Sequence, residues 1–278
     1  MVSDLVPKPE FGNENLSLWR KINDMKSKYY LIVLLILCIL PACGGRFAKG
    51  PEAPPVSPEA AHLLSLLDKT NQALETFKGS GRIRLEHEGK FQSERVAWIG
   101  SASGKLRFEV LGFSGQPVAS IACDGERFYY RRGNTVHKFR STDPSLKRVV
   151  SIPVKTSDIV TMMTGRVPLM EYHAASVLED GGKRVLVLEQ KWAGVREKIY
   201  FDTNADAVHK IEVFDLSGDL RYRAEFGRTR EINGYQIPFS MTLSNDDNTS
   251  FLLHVSNYWA NVSLAPSAFV LNEKEDRP

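Results

Sequence analysis

From Arg82 onward the chain alternates apolar and polar positions with period two. Leu106, Phe108 and Val110 alternate with Lys105, Arg107 and Glu109, and Leu220, Tyr222, Ala224 and Phe226 alternate with Arg221, Arg223 and Glu225. Residues two apart share one face of a strand, so each run has a face to bury and a face to wet. Turn formers separate the runs: Gly104, Asp124-Gly125, Gly133-Asn134, Gly181-Gly182, Ser217-Gly218-Asp219 and Asn233-Gly234. They tolerate positive φ where a hairpin reverses. The pattern predicts about ten or eleven strands joined by short turns, and therefore a largely antiparallel sheet.

Two stretches follow a helical period instead. Ser57-Pro58-Glu59 has the form of a helix start, with Ser as N-cap, Pro at the first helical position and an acid in the first turn. Leu63, Leu64, Leu67, Leu74 and Phe77 then predict an amphipathic helix of about five turns, ended by Gly79 and Gly81. The second stretch is VSIPVKTSDIVTMMTGRVP, residues 150–168. Thr156 or Ser157 can cap a short helix carrying Ile159, Val160, Met162 and Met163, with Gly165 to end it and Pro168 just beyond. Such a helix is marginal alone and needs an apolar support, which the concave side of the sheet offers. Its methionines suit either plain core or the adaptable wall of a lipid cavity.

One apolar residue is out of phase. With Leu106, Phe108 and Val110 inward, Leu111 falls on the side of Arg107 and Glu109 or beyond the strand, and Gly112-Phe113-Ser114-Gly115 follows. Leu111 and Phe113 on a glycine-containing loop either meet lipid or a partner, or fold back under the rim of the sheet.

The N-terminal region adds a compartment. The apolar run from Tyr29 to Ala42 is too short for a comfortable span, follows Lys26 and Lys28, and closes on small residues, the layout of a secretory signal. Leu40-Pro41-Ala42-Cys43, with Gly44 after it, resembles the lipobox of bacterial lipoproteins. That resemblance implies a diacylglyceryl group on the Cys43 thiol, and Cys43 as the first residue of the mature chain. The resulting divisions are an extended or mis-assigned start over residues 1–24, a signal over 25–42 and a Gly/Pro-rich tether over 43–57. A folded domain then occupies 58–272 and a charged tail 273–278. Gly44 is not the Asp that retains lipoproteins at the inner membrane of enterobacteria, which favours the inner, periplasmic face of the outer membrane.

Composition is that of an ordinary globular chain, 25% charged and 42% hydrophobic with a net charge of +3, too small to argue for nucleic acid. Of three cysteines only Cys123 would remain in the folded domain, which leaves no internal disulfide. Ala119, Ile121 and Cys123 share one side of a strand, where a buried thiol is common. The six histidines are scattered, with no H-x-H, H-E-x-x-H or C-x-x-C, and there is no nucleophile elbow, P-loop or dinucleotide fingerprint. Glu86-His87-Glu88 looks like a cluster, but on a strand His87 points away from both acids. The expectation is a protein that is not an enzyme and uses no cofactor or metal.

The order of these pieces resembles the LolB/LolA family of lipoprotein-localisation proteins over roughly residues 60–265. The N-terminal helix leads into FKGSGRIRLEHEGKFQSERVAWIGSASGKLRFEVLG, like the LolB run ending in Leu-Gly. SIPVKTSDIVTMMTGRVP is similar to that family's proline, short helix, Gly-x-Pro segment. The lipobox favours LolB over LolA, which lacks one. The resemblance implies a mainly β (α+β) fold: an incomplete antiparallel β-barrel around a hydrophobic cavity, with an N-terminal helix and a short helical lid. It also implies that Leu111 matches a leucine by which LolB delivers lipoproteins into the membrane, although Val110 stands where that family has proline and Phe113 is an added bulky residue.

The expected function is a lipid-anchored monomer that accepts lipoprotein acyl chains from a LolA-like carrier and helps insert lipoproteins into the outer membrane. Phe108, Val110, Phe128, Tyr130, Met162, Met163, Tyr222 and Phe226 would be cavity lining or solid core. The rivals are an RseB-like envelope-stress or lipid sensor, and a structural lipoprotein with a filled core.

Overall fold

A computed structural model describes residues 55–140, 152–192, 194–202 and 207–271. Cys43, the signal, most of the tether and the charged tail lie outside them. Helix α1 (Pro58–Lys69) leads into a first meander of six strands. These are β1 (Thr76–His87), β2 (Lys90–Ser101), β3 (Lys105–Leu111), β4 (Pro117–Cys123), β5 (Arg127–Arg132) and β6 (Thr135–Arg140). Helix α2 (Thr156–Met163) separates it from a second meander. That one contains β7 (Ala174–Asp180), β8 (Lys183–Gln190), β9 (Gly194–Phe201), β10 (Val208–Phe214), β11 (Leu220–Ile232), β12 (Tyr235–Ser244) and β13 (Thr249–Ala260). A 3-10 turn, Pro266–Phe269, follows.

The last strand pairs with the first. Because β13 lies antiparallel to β1, the meanders join into one 13-stranded sheet in the order β6-β5-β4-β3-β2-β1-β13-β12-β11-β10-β9-β8-β7. Strands β6 and β7 end this open sheet, which is the mainly β, incomplete-barrel architecture the sequence implied. The count of ten or eleven strands is corrected to thirteen. Every turn read from glycine pairs is present, but three others rest partly on non-glycine residues at positive φ: Glu88 at 51°, Trp192 at 71° and Asn248 at 51°. Asn248 is of a type that favours this conformation, whereas propensity does not mark Glu88 or Trp192.

Helix α1 begins as expected, with Ser57 Oγ accepting from the Ala60 N–H at 3.2 Å. It is shorter than expected: twelve residues, about three turns rather than five. Asn71 turns left-handed at φ 51° and ends it, and Gly79 and Gly81 belong to β1. Leu74 and Phe77 are fully buried all the same, from a connector and a strand whose spacing imitates a helix face.

Helix α2 starts at Thr156, and its N-cap is Lys155 without a side-chain hydrogen bond, so neither Thr156 nor Ser157 caps it. Its end follows the sequence reading. Gly165 sits at φ 72°, with Gly165 N–H donating to Met162 O at 2.9 Å and Arg166 N–H to Thr161 O at 3.1 Å. That is a Schellman closure.

Both helices pack on the concave face of the sheet. Ala60, Leu63 and Leu67 of α1 and Val160, Met162 and Met163 of α2 share one core with Leu186, Leu188, Ile199, Phe201, Ile211 and Val213. The chain after β13 crosses the convex face. There Leu271 packs with Ala122 and Tyr129, and Ala268 O accepts from Arg107 Nη1 at 3.1 Å.

Candidate functional site

The concave face around α2 carries stacked aromatic rings. Trp98 stacks on Phe108, ring centroids 5.9 Å apart, and Phe77 on Tyr258 at 5.7 Å. Two strand glycines make room for these rings: a Cβ on Gly79 would overlap Trp98, and one on Gly100 would overlap Phe77. Trp98, Met163, Pro238, Met241, Leu253, Val255 and Tyr258 border a crevice with about 10 Å³ of space for water. That is room for roughly one water and no acyl chain.

The expected lining residues fall in different places. Met163 borders the crevice, whereas Met162 and Tyr222 are buried in the core and Phe108, Val110 and Phe226 pack half-buried against it. Phe128 is buried on β5, and Tyr130 is half-buried, its ring 6.4 Å from that of His137. The remaining crevice residues were missed. Trp98 had a signal, since it alternates inward with Val96 and Gly100 along β2.

Polar contacts hold α2 down at both ends. Beyond its C-terminus Asn71 Nδ2 donates to Thr164 O and Gln236 O, each at 2.8 Å, and Asn71 Oδ1 accepts from Gln236 N–H at 3.1 Å. Tyr258 OH donates to Met163 O at 3.2 Å. Near its N-terminus Tyr222 OH reaches Asp158 Oδ2 at 3.4 Å, and Arg221 donates to Pro153 O at 3.3 Å. Gly165 is wedged so closely that a Cβ would overlap the Gln236 carbonyl.

Beneath this helix lies a carboxyl that the sequence did not flag. Glu197 is fully buried; its Oε2 accepts from Met170 N–H at 2.8 Å and its Oε1 has no partner among the described residues. Burial pushes its pKa up to about 8, the Met170 hydrogen bond opposes this, and nearby Asp158 adds to it. Burial likewise raises Asp158, with Lys155, Ser157 and Tyr222 easing the shift. Glu197 therefore carries a proton at neutral pH, a neutral acid under a short helix.

The out-of-phase loop projects from the end of β3. Leu111 is the last residue of the strand and half-buried, at a register shift opposite Pro117. Phe113 is fully exposed and does not fold back under the rim. The loop is nonetheless pinned: Arg95 Nη2 donates to Gly112 O at 2.7 Å and Phe113 O at 2.8 Å, and Gly112 N–H donates to Gln116 O at 2.9 Å. A large apolar side chain is thus held in water by an ordered backbone.

Other candidate chemistry has structural surroundings. Cys123 is buried, and burial pushes its thiol pKa up, away from reactivity. His87 Nδ1 meets Thr249 Oγ1 at 2.9 Å. Among the described residues no three His, Cys, Asp or Glu side chains are placed to hold a metal.

No protein-family model matches the sequence, and no curated protein matches it. Solved structures do match the fold. A LolA superfamily protein from Nitrosomonas europaea aligns over 76% of this chain and 97% of its own, at 14% identity and a TM-score of 0.53. A putative outer membrane lipoprotein-sorting protein domain from Vibrio parahaemolyticus aligns over 76% and 94%, at 13% identity and 0.51. A DUF1329 family protein from Desulfovibrio piger aligns over 79% and 98%, at 10% identity and 0.54. The chain has a LolA-like fold: an open antiparallel sheet whose concave side is covered by helices.

Proposed function

We propose that this protein is a lipid-anchored envelope protein that takes lipoprotein acyl chains onto its concave face and helps insert lipoproteins into the outer membrane. Cys43 carries the anchor, and the domain works at the periplasmic face of that membrane with a LolA-like carrier as donor. The observation that carries the reading is Phe113, a fully exposed aromatic held on a pinned loop at the rim of a LolA-like sheet. The likeness of the fold to a LolA superfamily protein and to a putative lipoprotein-sorting domain supports it.

The mechanism needs no covalent step. Because the crevice holds about one water, an acyl chain enters only when α2 lifts away from Trp98, Met241 and Tyr258. Each methylene moved from water into such a face gains about 0.8 kcal/mol, so small differences in fit between donor and acceptor set direction over a whole chain. Leu111 and Phe113 then offer the leaving chain an apolar step towards the bilayer.

The test is depletion in the source bacterium, scoring where its lipoproteins accumulate. Mislocalised lipoproteins restored by the wild-type chain but not by Phe113→Ser support the proposal. Normal sorting after depletion would sink it.

A further inference from the structure

The antiparallel order sends the hairpins alternately to two ends of the sheet. The β1–β2, β3–β4, β5–β6, β8–β9, β10–β11 and β12–β13 turns lie at one end, where β7 also begins. The three most exposed large apolar side chains of the described residues all sit on turns at that end. They are Phe113 (103% exposed), Trp192 (95%) and Leu216 (73%). Their turns belong to three different hairpins spread across the sheet. The described turns at the opposite end are polar: Ala102-Ser103-Gly104, Asp124-Gly125-Glu126, Gly181-Gly182 and Asn233-Gly234.

Two further observations bear on what meets this end. Trp192 is held at φ 71°, a left-handed conformation that a bulky residue adopts at a cost and that turns normally give to Gly or Asn. The tether also arrives there. Val56 forms a parallel bridge with Ala175, the second residue of β7, with Ala175 N–H donating to Pro55 O at 2.7 Å and Ser57 N–H to Ala175 O at 3.0 Å. Ala175 pairs with Leu188 on β8, whose end carries the Trp192 turn, about 13 Å further along at ~3.3 Å per residue. Residues 43–54 span at most about 40 Å when extended. The described chain therefore enters the domain at the end that bears the apolar tips.

We propose that this end of the sheet rests on the phospholipid bilayer, with Trp192 and Leu216 as interfacial contacts in addition to the Phe113 loop. The inference rests on the anchored reading of Cys43 and adds an orientation to it. Tryptophan suits the headgroup boundary because its ring is apolar and its N–H polar. Charge is not the driving force: Lys191 flanks Trp192, but Asp215 and Asp219 flank Leu216, so the tips carry both signs. Lifting α2 on a domain oriented this way keeps the acceptor bilayer beside the Phe113 loop throughout.

The experiment mixes the full chain with phosphatidylcholine vesicles, with and without acyl-brominated lipid, and records tryptophan emission. Subtracting the Trp192→Phe spectrum isolates the tip. Subtracting the Trp259→Phe spectrum isolates a half-exposed indole near the opposite end of β13. The proposal expects brominated lipid to lower the Trp192 component roughly twofold or more, to leave Trp259 unchanged, and to do both at high salt. A Trp192 component quenched no more than that of Trp259 overturns it. The carrier reading is judged separately, by binding of a soluble lipopeptide. Quenched Trp192 without lipopeptide binding leaves the orientation standing and fails the carrier, and the reverse fails the orientation alone.

Discussion

Two glutamates on neighbouring strands face opposite sides of the same sheet and meet opposite surroundings. Glu212 of β10 points to the convex face, where it accepts from Tyr200 OH at 2.7 Å, Arg223 Nε at 2.9 Å and Lys210 Nζ at 3.2 Å. Burial alone would raise its pKa, but those three donors outweigh it and hold the carboxyl below its usual range. Glu197 of β9 points to the concave face with one backbone donor, and burial raises it to about 8. Glu212 is thus fully paired, on a face that also buries the apolar Val185, Val187 and Tyr200. The concave face keeps an underpaired acid beneath α2. Leaving a buried polar atom such as Glu197 Oε1 unpaired costs about 1–3 kcal/mol.

The largest expected effect breaks the closure of the concave side. Gly165→Val places a Cβ against the Gln236 carbonyl at a φ that only glycine adopts freely. It should cost about 3 kcal/mol or more in a urea melt, and should free the α2 segment first in hydrogen exchange. Next comes the convex pin. Glu212→Ala strands Tyr200, Arg223 and Lys210 and should cost about 2 kcal/mol.

The pH dependence separates the two acids by sign. Glu197 has a folded pKa raised above its unfolded value of 4.5, so its protonated form favours folding. That contribution is fully present below about pH 4.5 and is lost as pH rises through about 8. Glu197→Gln keeps an acceptor for Met170 N–H without a proton to lose. It should match wild type at pH 4.5 and be the more stable of the two at pH 8.5 in paired melts. Glu212, with its pKa lowered, works the other way: its contribution stands above the usual carboxylate range and is lost on acidification. The smallest stability effect belongs to Phe113→Ser, within about 0.5 kcal/mol of wild type because the ring touches only water, while lipoprotein delivery falls.

The sequence reading worked where local chemistry and tertiary need agree. Ser57 capped its helix, Gly165 closed the short one, and Leu106, Phe108 and Val110 faced inward because period two and burial coincide on β3. It failed where they part. Leu74 and Phe77 kept a helical spacing across a chain that had already turned at Asn71, so burial was right and the element wrong. Trp192 held a turn that no propensity announces. Glu197 was passed over because Arg196, Glu197 and Lys198 read as a charged run, although its phase with Ile199 and Phe201 along β9 turns it inward. Met241, Leu253 and Tyr258 of the paired strands β12 and β13 border the crevice with Trp98 of β2 and Met163 of α2, and one-strand periodicity does not say that such separate segments meet.

The central claim is that the concave face opens under α2 to hold acyl chains. Calorimetry of the full chain with a soluble triacylated lipopeptide, against the same peptide without its acyl chains, tests it directly. The account predicts that the acylated peptide binds at least about 100-fold more tightly, with a negative heat-capacity change and α2 amides losing exchange protection. Equal binding of the two peptides, or binding with α2 protection unchanged, would contradict it.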